Sequence, residues 1–236
     1  MNIRLYHPDS ILENNTSLLS KEHTHYIVNV MRLKRGSNLN FFNKNGEWIS
    51  EIIFLNKDRV EVRFLEKIKE AKNLSKTTLA ICLVKKNPMD FILQKATELG
   101  VSKIIPIISE RTEVKELNQE RAKRIVIEAT EQSNQFIPPA ISEITKLKNF
   151  LESLDQSTKL LFADVNSKNN LDIKDFKEVK SLCVLIGPEG DFTPKEREII
   201  LSKTNTIPFS LSNNILRADT ATISAISLIN FVLSDH

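Results

Sequence analysis

From residue 1 to about residue 70 the chain alternates apolar and polar positions in short runs, "NLNFF", "EWISEIIFL" and "RVEVRFL". That period of two is the mark of half-buried strands. Asn45-Gly46 and the "NKD" of Asn56 to Asp58 fall between the runs and predict hairpin turns. One helical pattern interrupts them, opening at the cap Ser20, running through "HYIVNVMRL" and stopping at Gly36. The pattern predicts a small β-rich module, a barrel. "EKIKEAKNLSK", Glu66 to Lys76, is polar, lacks core residues and reads as a linker.

Beyond the linker the rhythm changes to strands alternating with helices. "TTLAICLV", "KIIPII", "KLLFAD", "SLCVLI" and "TIPFSLS" read as strands. "MDFILQKATELG", ending at Gly100, and "NQERAKRIVIEATEQS" read as amphipathic helices. A further helix opens at Thr193, and Ile215 to Leu233 is largely helical. Such alternation predicts an α/β domain around a mostly parallel sheet, in which ligands bind beyond the carboxyl ends of the strands. The expected division is 1–70 for the β-rich module and 71–236 for the α/β domain. The last helix, "TISAISLINFVL", is apolar nearly all round, which implies burial in a core or at a subunit contact.

Composition changes this picture little. At 236 residues, 41% hydrophobic and 27% charged, the chain can bury a sizeable core without staples. A net charge of +3 permits a polyanionic partner without demanding one. The two cysteines, Cys82 and Cys183, lie inside apolar runs and read as reduced core thiols. His23 and His25 lack nearby thiolate or carboxylate partners, so no metal site is expected. No signal core opens the chain and no apolar stretch is long enough to span a bilayer, so a cytoplasmic protein without membrane contact is expected.

Candidate chemistry gathers in two places. "LIGPEGDFTPKE", Leu185 to Glu196, carries two of the five glycines between a buried strand and a helix start. Thr193, Pro194 and Glu196 form a capping box with proline at the first helical position. Gly187-Pro188-Glu189-Gly190 sits at a strand's carboxyl end, where glycine admits close approach of a ligand. By itself the motif serves a ligand-free turn equally well. The second place is "SLSNNILRADTATISAI", Ser210 to Ile226, where Arg217 stands beside Asp219; an Arg–Asp surface pair on a capped helix is the plainer reading. Together the two loops could wall one pocket. No P-loop, G-x-G-x-x-G or G-x-S-x-G occurs, and no histidine lies between His25 and His236. Nucleotide hydrolysis and triad chemistry therefore lack their groups.

These stretches resemble a known family. "LIGPEGDFTPKE" followed by "LSNNILRADTA" is similar to the signature pair of the RsmE family, SPOUT-superfamily methyltransferases that modify uridine N3 in 16S ribosomal RNA. "KNPMDFILQKATELGV", "ISERTEV" and "EATEQSNQFIPP" match further blocks in the family's order, and "HYIVNVMRLKRG" matches its N-terminal PUA-like RNA-binding barrel. The resemblance implies a C-terminal α/β domain with a trefoil knot, a homodimer, and S-adenosylmethionine held mainly by main-chain groups. The implied cofactor positions are Leu185, Ile186, Gly187, Gly190, Leu211, Ser212, Asn213, Ile215, Leu216, Ala218, Thr220 and Ala221. The chain departs from the family pattern at Asp191 and Ser212, where glycine is usual. It departs also at Asn214 and Gln135, where arginine is usual, and at Asp219, where glutamate is common.

On that footing Arg217 is expected to stabilise negative charge developing on a uracil carbonyl oxygen, with Glu189 or Asp219 accepting the N3 proton. Arg32, Lys34, Arg35, Lys85, Lys86 and Arg111 are the expected contacts to RNA phosphate, on 16S ribosomal RNA or the small subunit. The alternative is a non-catalytic RNA-binding or ribosome-assembly protein on the same fold.

Overall fold

A computed structural model describes residues 3–71, 77–171 and 181–234. The chain divides into two units, Met1–Asn73 with Thr130–Ile137, and Leu74–Ala129 with Pro138–His236.

In the first unit β1 (Arg4–Tyr6), β2 (Thr16–Leu18), β3 (Asn38–Asn43), β4 (Gly46–Leu55) and β5 (Val60–Lys69) form a sheet in the order β1-β3-β4-β5-β2. Only the β1–β3 pair is parallel. The expected barrel takes the form of this five-stranded sheet, and His7 Nε2 and Ser17 Oγ, 2.9 Å apart, link the chain just past β1 to β2 at the other end of the order. The alternating apolar positions Leu39, Phe41, Trp48, Ile52, Val60, Val62 and Phe64 fill its core. The β3–β4 hairpin turns through Lys44 and Asn45, and Gly46 takes φ 141°, where a Cβ would stand 2.4 Å from the Lys69 carbonyl. β5 runs on to Lys69, so the start of the expected linker is strand, and residues 72–76 of it lie outside the described residues.

The expected helix from Ser20 is shorter than its pattern. Helix α1 (Lys21–His25) passes into a π-helical turn, Tyr26–Val30, and ends at Met31. Arg32, at φ 53°, makes the left-handed exit that Gly36 was expected to supply. Arg4 ties Thr130–Ile137 into this unit. Its Nε bonds Glu47 Oε2 at 3.0 Å, its Nη1 and Nη2 reach the carbonyls of Thr130 and Gln135 at 3.3 and 2.5 Å, and it lies 3.5 Å over the Phe42 ring.

The second unit is built on a seven-stranded parallel sheet: β6 (Thr77–Cys82), β7 (Lys103–Ile108), β8 (Ala140–Ile141), β9 (Thr145–Lys146), β10 (Thr158–Ala163), β11 (Ser181–Ile186) and β12 (Thr206–Phe209). The order is β12-β10-β11-β6-β7-β8, with β9 also on β7. Successive residues enter opposite cores, as continuous apolar runs predict. Leu79, Ile81, Leu182, Val184 and Ile186 face α2 (Lys86–Glu98), α3 (Gln119–Gln132) and α6 (Ala218–Ser234). Ala80, Cys82, Cys183 and Leu185 face α4 (Leu147–Ser153) and α5 (Pro194–Leu201). Both cysteines are buried and free, and burial pushes each thiol up to about 12.

Candidate functional site

Because β12, β10 and β11 pair side by side in parallel, the loops that leave them emerge at one edge of the sheet. There a cavity of about 520 Å³ is walled by Ala163–Val165 after β10, Ile186–Asp191 after β11, and most of Ser210–Ala218 after β12, with Ala221 of α6. The two stretches singled out in the sequence therefore do form one pocket.

Of the expected positions, Ile186, Gly187, Glu189, Gly190, Leu211, Ser212, Ile215, Leu216, Arg217, Ala218 and Ala221 line it. Leu185, Asn213, Asp219 and Thr220 are not in its wall; the Leu185 side chain belongs to the core beneath. The sequence reading did not mark Ala163, Asp164 and Val165, nor assign a binding role to Asp191, Ser210 and Asn214. α6 begins at Ala218, so Ile215 to Arg217, expected as helix, are instead loop residues of the wall.

The loop after β11 is held from several sides. The predicted capping box is present: Glu196 N donates to Thr193 Oγ1 at 3.2 Å, and Glu196 Oε2 accepts from Thr193 N at 2.9 Å. A Cβ at Gly187 would stand 3.0 Å from the Phe192 ring, itself packed edge-on against Phe162. A side chain at 187 would press on that ring and require it to shift. The left-handed residue is Asp191, at φ 58°; its Oδ1 accepts from Phe192 N at 2.8 Å. Aspartate thus fills a place that suits glycine, since it tolerates this conformation when its side chain bonds locally. Asp191→Gly is expected to change stability by less than about 1 kcal/mol, while Asp191→Val costs about 2 kcal/mol, read by urea unfolding.

In the cavity wall Asp164, 2% exposed, accepts from Arg197, with Nε to Oδ1 at 3.2 Å and Nη2 to Oδ2 at 2.7 Å. The hydrogen bond to Asp164 raises Arg197 above its ordinary value. Arg217 is 71% exposed, and its Nε is 3.9 Å from Asp219 Oδ1. Asp219 Oδ1 also accepts from Thr220 N at 2.8 Å, whereas Glu189 is exposed in the cavity wall. Arg32, Lys34 and Arg35 are exposed in the first unit, past the helical turn rather than at its end. Lys85 and Lys86 are exposed at the start of α2, and the exposed Arg111 donates to Gly190 O at 3.0 Å.

Residues 70–230 match the model of an RNA methyltransferase domain, and residues 19–65 that of an RNA methyltransferase PUA domain. The curated relatives include ribosomal RNA small subunit methyltransferase E of Rickettsia conorii, 35% identical over 99% of this chain and 96% of that protein. Its counterpart from Bacillus subtilis is 30% identical over 94% of this chain and 92% of that protein. The chain belongs to the ribosomal RNA small subunit methyltransferase E family. Among solved structures of the same SPOUT type, the Neisseria gonorrhoeae family member bound to S-adenosyl methionine superposes with a TM-score of 0.89, at 27% identity over 98% of each chain. A Legionella pneumophila methyltransferase in complex with its cofactor SAM gives 0.88, at 28% identity and 98% of each chain.

Proposed function

We propose that the protein is an S-adenosylmethionine-dependent ribosomal RNA methyltransferase that acts in the cytoplasm on 16S ribosomal RNA, methylating a uridine at N3. The observation that carries this is the single cavity made by the loops after β10, β11 and β12. Its volume suits an adenosine-bearing ligand, and its wall joins apolar side chains, Ile186, Leu211, Ile215 and Leu216, to the backbone of Gly187 and Gly190. These residues fit the cofactor that the relatives' names and structures point to, and Leu216, Ala218 and Ala221 would hold it at the β12 side. S-adenosylmethionine supplies the methyl group on a sulfonium.

The chain's own part is to place the base, neutralise charge and receive a proton. Arg217, exposed on the cavity wall, is suited to oppose negative charge on a uracil carbonyl oxygen as N3 loses its proton. Glu189 is the favoured proton acceptor, because it lines the cavity while Asp219 does not, and Asp219 Oδ1 accepts from Thr220 N. Arg32, Lys34, Arg35, Lys85 and Lys86 keep exposed charged ends without an ion pair among the described residues, which suits RNA phosphate. We place a trefoil knot in the second unit, and a second copy of the chain against the apolar residues that α6 leaves exposed, Leu228 at 37% and Phe231 at 65%.

The test joins calorimetric titration with S-adenosylmethionine to mapping of methylated uridines in ribosomal RNA from cells lacking the protein. Heat of binding and the loss of one 3-methyluridine are expected. No heat would leave the non-catalytic alternative standing.

A further inference from the structure

The turn after β7 is built more firmly than a connection requires. Ser109 and Thr112, 4% and 3% exposed, close it: Ser109 N donates to Thr112 Oγ1 at 2.9 Å, Thr112 N to Ser109 O at 3.2 Å, and the hydroxyls lie 2.8 Å apart. Lys115 Nζ donates to the Thr112 carbonyl. Between them Glu110 N donates to Glu196 Oε1 at 2.8 Å. Glu196, 7% exposed, is the residue whose other oxygen caps α5, so the turn is fastened to the far end of the loop that leaves β11. From this anchored turn Arg111 reaches back, its Nη1 3.0 Å from Gly190 O and its Cβ and Cδ 3.5 and 3.7 Å from where a Gly190 Cβ would stand.

We propose that Arg111 is a positioning residue: it braces the middle of the Gly187–Asp191 loop so that the cavity wall is formed before the ligand arrives, rather than serving as a contact to RNA phosphate. The inference rests on the reading that this cavity takes S-adenosylmethionine. Both ends of the loop are fixed, at Ile186 in β11 and at the Thr193 cap, and the Asp191 N–H closes a turn onto Pro188 O at 3.0 Å. Among the described residues, the guanidinium bond ties the middle of the loop to a side chain outside it. A wall ordered in advance spares the ligand the entropy of ordering it, and one hydrogen bond of this kind is worth about fivefold in affinity.

Arg111→Ala and Arg111→Lys test this in the full-length protein. Expected for Arg111→Ala is a Kd for S-adenosylmethionine raised about fivefold, with turnover at saturating cofactor and RNA within about twofold of wild type. Arg111→Lys, which keeps a donor and the charge, is expected to recover most of the affinity. Without any ligand, hydrogen exchange at the Asp191 amide is expected to quicken about fivefold in Arg111→Ala and to return in Arg111→Lys. The slope of log RNA affinity against log salt should stay that of wild type; a phosphate contact would lower it by about one. Unchanged exchange at Asp191, unchanged cofactor affinity, or a lowered salt slope would each overturn the proposal. A wild-type protein that binds no S-adenosylmethionine would fail the cofactor reading instead, and the exchange measurement would still decide the brace.

Discussion

Arg4→Ala is expected to destabilise the first unit by about 3 kcal/mol, measured by urea unfolding at pH 7. The arginine side chain is 8% exposed and the Glu47 side chain 2%, so the pair is buried, and removing one member strands the other. Asn40 Nδ2 at 2.7 Å and Lys69 Nζ at 3.6 Å would still serve Glu47, which keeps the cost at the lower end of the range for broken buried pairs. The hydrogen bonds from Arg4 to the carbonyls of Thr130 and Gln135 are lost at the same time. A double variant, Arg4→Met with Glu47→Gln, should recover part of the loss, because no uncompensated charge remains.

The same pair sets an acid limit. Burial pushes the Glu47 carboxyl up, but hydrogen bonds from Arg4 and Asn40, with the charges of Arg4 and Lys69, outweigh it and hold the group below its ordinary 4.5. A depressed carboxyl contributes its full stability above the unfolded value. That contribution is lost as pH falls below 4.5 and through the folded value, because the unfolded chain takes up its proton first. Wild type should therefore weaken below about pH 4.5, and Glu47→Gln, already weaker at pH 7, should show a smaller further loss.

Arg217→Ala is expected to lower kcat by about 10²-fold, the usual cost of removing one donor that meets developing charge, with little change in the Kd for S-adenosylmethionine. Calorimetry should separate the two, since cofactor affinity would rest on the loop backbone and apolar wall. With the arginine side chain 71% exposed, folding should not suffer, so a lowered Tm would not explain the loss. Turnover at the wild-type rate with saturating RNA and cofactor would remove Arg217 from the mechanism.

What could be read from the chain divides by range. Continuous apolar runs such as "SLCVLI" and the T-x-x-E box at Thr193 are local signals, and β11 and the start of α5 follow them. Three-residue β1 and β2 and two-residue β8 and β9 are too short for a period to show. Within the site, the two loops were legible because glycine, proline and arginine stand out locally. Asp164 was not, since its meaning comes from Arg197, 33 residues on. Arg111 reads in the sequence only as a contact to RNA phosphate, because Gly190, to which it donates, is 79 residues away. Likewise the "EATEQSNQFIPP" block gave no hint that Thr130–Ile137 within it pack in the first unit, since Arg4 and Gln135 lie 131 positions apart.

The two cysteines have a practical consequence. Each sulfur is enclosed in the core between the sheet and the helices on its α4–α5 side, and with thiols pushed to about 12 neither offers thiolate at neutral pH. The folded protein should stay inert towards maleimide and mild peroxide. A cysteine introduced at an exposed site such as Lys85 would then be the sole position to take a fluorophore, with no need to strip the native sulfurs first.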